Sequence, residues 1–238
     1  MTNQHYPQKQ YSYNDSFIST MNRVYLLMFS GLFVTALAAL LGATVPSIQN
    51  AIFGSSFAFY GLMIGELVLV LVISAGINKM SSPTALTLFF IYAFVNGLTL
   101  SVIFLVYNIT SIYAAFGVTA LTFGAMSFIG ATTKRDLSNL RGYLMMGLIG
   151  VIIAGVVNLF LANSMLDSVI SMIAVLVFVG LTAYDTQTIK RMLTSAGDDP
   201  YNDSGEIIRK ISVIGALKLY LDFINLFLQI LRLLGKKR

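Results

Sequence analysis

The chain has 238 residues, 57% of them hydrophobic and only 11% charged, with no cysteine and a formal net charge of +5; its mean hydropathy is +0.81. That balance excludes an ordinary soluble domain and indicates an all-α polytopic membrane protein, while the lack of cysteine excludes a disulfide framework and a thiolate metal site. The basic residues fall between apolar runs without interleaved aromatics, so loop charges on one side of a bilayer explain them better than a nucleic-acid partner.

Residues 1–22, rich in Gln, Asn, Tyr and Ser, cannot bury enough apolar surface to pack a core and read as a polar N-terminal tail, mobile or interfacial. His5 lies there without a second His or a carboxylate cluster, so a metal site is not expected. No small-residue cleavage site follows, and no secretory signal is read. Residues 23–238 form the membrane domain, with seven apolar runs at about 24–45, 55–77, 84–107, 111–131, 143–162, 167–189 and 211–234. Each approaches the ~20 residues that cross ~30 Å of hydrocarbon.

The connections alternate in charge. One set carries Lys9, Arg23, Lys79, Lys134, Arg135, Arg141, Lys190, Arg191, Arg209 and Lys210, whereas the opposite set, around 46–54, 108–110 and 163–166, carries no Lys or Arg. The contrast places the N-terminus in the cytoplasm. After seven crossings the basic tail 235–238 emerges against this bias, so the last run either re-enters or crosses completely; its length favours the crossing. Gly61 and Gly65 in the second run, and Gly142, Gly147, Gly150 and Gly155 in the fifth, predict close helix contacts.

The last run is the unusual one. Lys218, Asp222, Asn225, Gln229 and Arg232 recur at helical spacing and form one polar stripe, which lipid cannot face. A carboxylate near the centre of a membrane helix costs at least ~2.5 kcal/mol, so the stripe is expected to turn into the bundle or toward a water-filled cavity. Two further acids lie within runs, Glu66 in the second and Asp185 in the sixth. Glu66 either joins that cavity or hydrogen-bonds a neighbouring helix. Asn225 and Gln229 are candidates for its lining, although such amides, like Asn96 and Asn158, more often join helices than bind ligands. The connection holding Asp198, Asp199, Asp203 and Glu206 lacks the ligand order of a calcium loop and reads as solvated.

Asp185 stands roughly 8 Å of helix from Lys190 and Asp222 roughly 16 Å from the start of its own run. The two helices are antiparallel, so a modest tilt brings the carboxylates to one depth. Two carboxylates in one site cannot easily both ionise, and the pair is then expected to titrate as a unit, a pH-sensitive latch. Lys79 at the end of the second run could hold Asp185 ionised, or could be a simple loop anchor. In the competing structural reading, Asp185 pairs with Lys190 or Arg191 on its own helix and Asp222 pairs with Lys218 one turn away.

YDTQ at 184–187, LYLDFINLF at 219–227, GAMSFIGATTKRDLS at 124–138 and SAGINKMSSPT at 74–84 together resemble the transmembrane Bax-inhibitor-motif family, in its bacterial inner-membrane branch. The resemblance covers about residues 20–238. It implies a seven-helix bundle with the last helix central, surrounded by the other six, and a pH-dependent calcium leak governed by a di-aspartyl sensor that falls on Asp185 and Asp222. It also implies a basic partner near the end of the second helix, for which Lys79 is the nearest candidate. Lys218, one turn before Asp222, adds a charge that could shift the gating pH downward or oppose cation passage.

The leading expectation is therefore a calcium or cation leak through an inner (plasma) membrane, with the pair Asp185 and Asp222 as gate and transient calcium ligands, and no cofactor. The alternative is a regulatory protein that binds another membrane protein, such as a quality-control protease. An intramembrane aspartyl protease is disfavoured, because its G-x-G-D and P-A-L signatures are missing and Asp222 sits in LYLDF; no enzyme activity is expected.

Overall fold

The computed structural model describes residues 8–197 and 204–237. Among them the chain folds into helices α1 (Gln8–Thr44), α2 (Pro46–Phe53), α3 (Ser56–Gly76), α4 (Ser82–Leu100), α5 (Val102–Val106), α6 (Ile109–Thr132), α7 (Leu140–Leu161), α8 (Ser164–Gly197) and α9 (Ser204–Leu234). Seven spans are long and apolar enough to cross a membrane: parts of α1, α8 and α9, the whole of α3, α6 and α7, and α4 joined to α5. The seven apolar runs are thus seven helices. Part of the stretch read as a tail continues α1, which begins at Gln8; residues 1–7, with His5, lie outside the described residues.

Local chemistry sets several boundaries. Pro46 and Pro83 sit in the first turns of α2 and α4, where a missing N–H costs nothing, and Ser81 caps α4 by accepting from the Thr84 N–H. Glu206, read as part of a solvated loop, also reaches α4: its carboxylate accepts from the Ser82 N–H and hydroxyl, each at 2.8 Å. An acidic group there opposes the partial positive charge of the helix end. The loop expectation fails because α8 runs on to Gly197 and α9 starts at Ser204, leaving a far shorter connection; Asp198, Asp199 and Asp203 lie outside the described residues. Asn158 joins no second helix. Its side chain accepts from the Asn163 N–H and steadies the end of α7, where Ala162 turns left-handed at φ 49°.

The bundle is built around α9, whose apolar window is 67% buried, against 39% for α8, 6% for α3 and none for α7. Tyr220, Leu217, Leu219 and Leu226 on α9 are among the largest fully buried side chains. The helix packs on α1, α4, α6 and α8, while α3 rests on α4 and α7 on α8. The last helix is therefore central within a ring of four, with α3 and α7 outside it. Leu67 and Leu71 on α3 and Leu159 and Phe160 on α7 are exposed, as a lipid-facing surface requires.

The polypeptide crosses completely at its end. The Lys236 carbonyl accepts from the Asn108 N–H at 3.1 Å, the Lys236 N–H donates to Ser111 Oγ at 3.0 Å, and Tyr107 pairs with Lys237 in a short antiparallel bridge. The tail thus lies on the face of the 108–110 connection, opposite the Lys- and Arg-rich connections.

Glycine marks the tight crossings, but mostly not where the sequence points. A Cβ on Gly97 would strike the Thr35 backbone of α1, and one on Gly130 the Ala183 backbone of α8, whereas Gly61, Gly65, Gly142, Gly150 and Gly155 have nothing within 4 Å. Of the glycines singled out from sequence, Gly147 alone meets a neighbour, Val177. Gly97→Val and Gly130→Val should each cost about 1–3 kcal/mol or prevent folding, because backbone cannot yield as a side chain can. Gly61→Val and Gly65→Val should leave the melting temperature in detergent nearly unchanged; equal losses at all four positions would contradict the placement.

Candidate functional site

Helical geometry positions the charges at the α8–α9 interface. Asp167 and Asp185 stand about five turns apart on one face of α8, and Lys218 and Arg232 about four turns apart on α9. Because the helices are antiparallel, the cations of one meet the carboxylates of the other at both ends. Lys218 Nζ donates to Asp185 Oδ1 at 3.1 Å, and Arg232 Nη1 donates to Asp167 Oδ1 at 3.1 Å. Asp222, one turn beyond Lys218, is buried with its Oδ2 unpartnered, and Asp185 lies close enough to act on it electrostatically. Two carboxylates and one ammonium therefore share one sheltered place, with Arg141 of α7 adding a weaker positive field at Asp185.

Neither structural alternative for the aspartates is what the chain does. Lys218 serves Asp185 across the interface rather than Asp222 along its own helix. Lys190 donates to the Ala131 carbonyl at 2.7 Å, and Arg191 binds Asp136, Ser138 and Gln187. Lys79 is exposed in the α3–α4 connection and forms no ion pair with Asp185 among the described residues. The helix α3 that would deliver it stands outside the ring.

Glu66 belongs to a different network. Its Oε2 accepts from Asn96 Nδ2 at 3.1 Å, Asn96 Oδ1 accepts from the Tyr220 hydroxyl at 3.0 Å, and Tyr220 lies 2.6 Å from Thr35 Oγ1. Tyr220 and Asp222, two residues apart, leave α9 on opposite sides, so Glu66 and the aspartate pair are served by different faces of the helix. Asn225 donates to the Leu221 carbonyl of its own helix, and Gln229 keeps a buried, unpartnered Oε1. Of the residues singled out, the fold unites Asp185, Asp222 and Lys218, and separates Lys79 and Glu66 from them.

The YDTQ motif splits into two tasks. Gln187 projects away from Asp185 and pins the α6–α7 connection, accepting from the Leu137 N–H at 2.9 Å and donating to the Arg135 carbonyl at 2.8 Å. Sequence reading missed this role and that of Arg232 with Asp167, although the recurrence of opposite charges at matching depth on consecutive antiparallel helices carries the second. Among the described residues no group of three or more His, Cys, Asp or Glu gathers. Calcium takes 6–8 oxygen ligands, so two carboxylates offer a passing ion only part of a shell.

The family model described as "Inhibitor of apoptosis-promoting Bax1" matches residues 17–238. The chain is 46% identical over 218 residues to the Inner membrane protein YbhL of Escherichia coli (strain K12), covering 92% of each chain. It is 44% identical to an uncharacterized protein of Borreliella burgdorferi, covering 91% of each, and 40% identical to one of Rickettsia prowazekii, covering 97% of this chain and 94% of that one.

Removing Lys218 leaves Asp185 buried without its partner. Lys218→Met should therefore cost on the order of 1–3 kcal/mol, and Asp185→Asn in the same chain should restore much of it, in a double-mutant cycle read by thermal unfolding. Additive losses would mean that the pair is not coupled. Asp136, in the pinned connection, is held at about 2 by the Ser138 N–H and then by Arg191. A lowered value means that its stabilising contribution is complete above the unfolded carboxyl range and fades only as pH falls toward about 2. Asp136→Asn should thus leave any pH response between about pH 5 and 8 unaltered; a displaced midpoint would implicate this loop in sensing.

Proposed function

We propose, from the fact that this chain belongs to the family of inhibitors of apoptosis-promoting Bax1, that it is a pH-sensitive cation leak pathway, with calcium as the cargo. The observation that carries the reading is the arrangement at α8–α9: Asp185 is tied to Lys218 while the neighbouring Asp222 keeps an unpartnered carboxylate oxygen in the protein interior. Two acidic groups and one cation leave an unbalanced charge in a poorly solvated place, which a proton or a passing cation would neutralise. In the closed state the pair shares a proton and Lys218 holds Asp185 in place. Opening is the rearrangement of that contact, which frees hard oxygen ligands for calcium.

On this reading the chain is a non-enzymatic protein of the inner membrane with the Lys- and Arg-rich face in the cytoplasm. A regulatory role toward another membrane protein is the second reading, for which the last turns of α8 offer Arg191 and Ser195 exposed on the basic face.

Calcium flux into proteoliposomes across a pH series tests the first reading. Asp185→Asn and Asp222→Asn should each flatten the pH dependence and change the flux at its midpoint severalfold. Flux and profile unchanged in both variants would remove the pair as gate. A protein that carries no calcium at any pH, yet co-purifies with one stoichiometric membrane partner, would replace the leak by the regulatory reading.

A further inference from the structure

Where α3 ends, the bundle leaves a gap. The helix rests on α4 and stands outside the ring around α9, and between its last residues and the α8–α9 pair lies a crevice of about 450 Å³. Its walls are largely apolar, with Ile77 just past the end of α3, Met192 of α8 and Ile207, Ile211 and Ile214 of α9. Its polar groups are Asn78, Thr188 and two cations, Lys210 and Lys218. Among the described residues no acidic side chain lines it.

The two lysines differ in how firmly they are held. Lys210 has only a loose contact with Glu206, at 4.0 Å, and Glu206 is already engaged by Ser82 and Arg209. Lys218 reaches Asp185 but keeps 38% of its side chain exposed, so the crevice touches the candidate gate through this one residue. Lys210 lies two turns nearer the basic face, about 12 Å along the axis. The crevice therefore combines a charged wall, two uncharged hydrogen-bonding groups and a hydrocarbon-lined surface on a helix bundle that stands in lipid.

We propose that this crevice seats an anionic phospholipid from the leaflet of the basic face. The phosphate binds Lys210 and Lys218, with Asn78 and Thr188 beside it, and an acyl chain lies against the isoleucines. Charge complementarity selects the occupant: basic pockets between membrane helices hold anionic headgroups, Glu206 answers Lys210 only loosely at 4.0 Å, and Lys218 keeps 38% of its side chain exposed beside its ion pair with Asp185. The seat also has a consequence for the gate, which rests on the reading given above. A phosphate at Lys218 competes with Asp185 for the same ammonium, so lipid occupancy loosens the contact that holds the aspartate pair.

Native mass spectrometry of the intact protein in detergent, titrated with phosphatidylglycerol or phosphatidylcholine of the same acyl chains, tests the seat. Phosphatidylglycerol should be retained more tightly, and Lys210→Gln and Lys218→Gln should each reduce the preference about fivefold, the worth of one lysine near an anionic surface. Lys210→Gln does not touch the aspartates, so its effect separates binding from misfolding, and Lys134→Gln in the α6–α7 connection should change nothing. Equal retention of the two lipids, or a preference that survives both lysine changes, would overturn the proposal. So would displacement of phosphatidylglycerol by inorganic phosphate at comparable concentration, which would make the crevice a free-anion site. Calcium flux in vesicles of each lipid then isolates the regulatory step. With binding as expected, flux that is the same in both lipids removes the coupling to the gate and leaves the seat standing, whereas absence of flux in every lipid removes the leak pathway itself.

Discussion

A charge inside a membrane bundle has to be answered by another group of the protein, and that constraint organises this molecule. Lipid offers no counterion and no hydrogen bond. The polar stripe of α9 can therefore exist only if the other helices enclose it, and the helix that carries it becomes the centre of the fold. The two cross-helix ion pairs fix the register of α8 against α9 at both ends. Between them the requirement is left unmet at Asp222 and at Gln229, whose buried oxygens have no partner.

The surrounding architecture divides accordingly. Around α9, backbones approach so closely that Gly97 and Gly130 admit no side chain, and Phe89, Tyr92 and Tyr220 pack edge to face at centroid distances of 5.7–5.8 Å. At the periphery α3 and α7 are attached by single flanks and present their leucines outward. A tight core with loosely attached flanks lets the crevice beside α3 open to lipid without disturbing the packing around Tyr220. The crevice, at the end of α3, and the polar network of Glu66, midway along it, thus lie at different levels of the same peripheral helix.

Much of this was legible in the residues. Length and hydropathy mark all seven crossings, because apolar runs of bilayer length have no other stable use, and the spacing from Lys218 to Arg232 identifies α9 as the enclosed helix. What the sequence could not carry was partner choice. Lys218 lies one turn from Asp222 and could equally have paired with it; the side chain turns instead to Asp185, a decision of tertiary geometry. Lys79 looked suitable by depth alone, yet azimuth and the outlying position of α3 remove it. The same limit explains the glycines: a G-x-x-x-G spacing shows that close approach is allowed, and Gly61 and Gly65 have no neighbour within 4 Å among the described residues. Glu206 misled by composition, since an acidic stretch rich in Asp and Gly reads as solvated until α4 is found beside it.

The helix at the heart of the bundle follows the other six spans along the chain. Six spans precede α9 in the chain, and the four helices that ring it reach their final contacts only with α9 in place. In the folded chain the tail meets Asn108 and Ser111 on the far side, and Lys218 and Arg232 bring Asp185 and Asp167 their counterions. Until α9 is in place, Asp185, which the bundle buries, and Asp167, which stays part-exposed, both lack the cations that answer them.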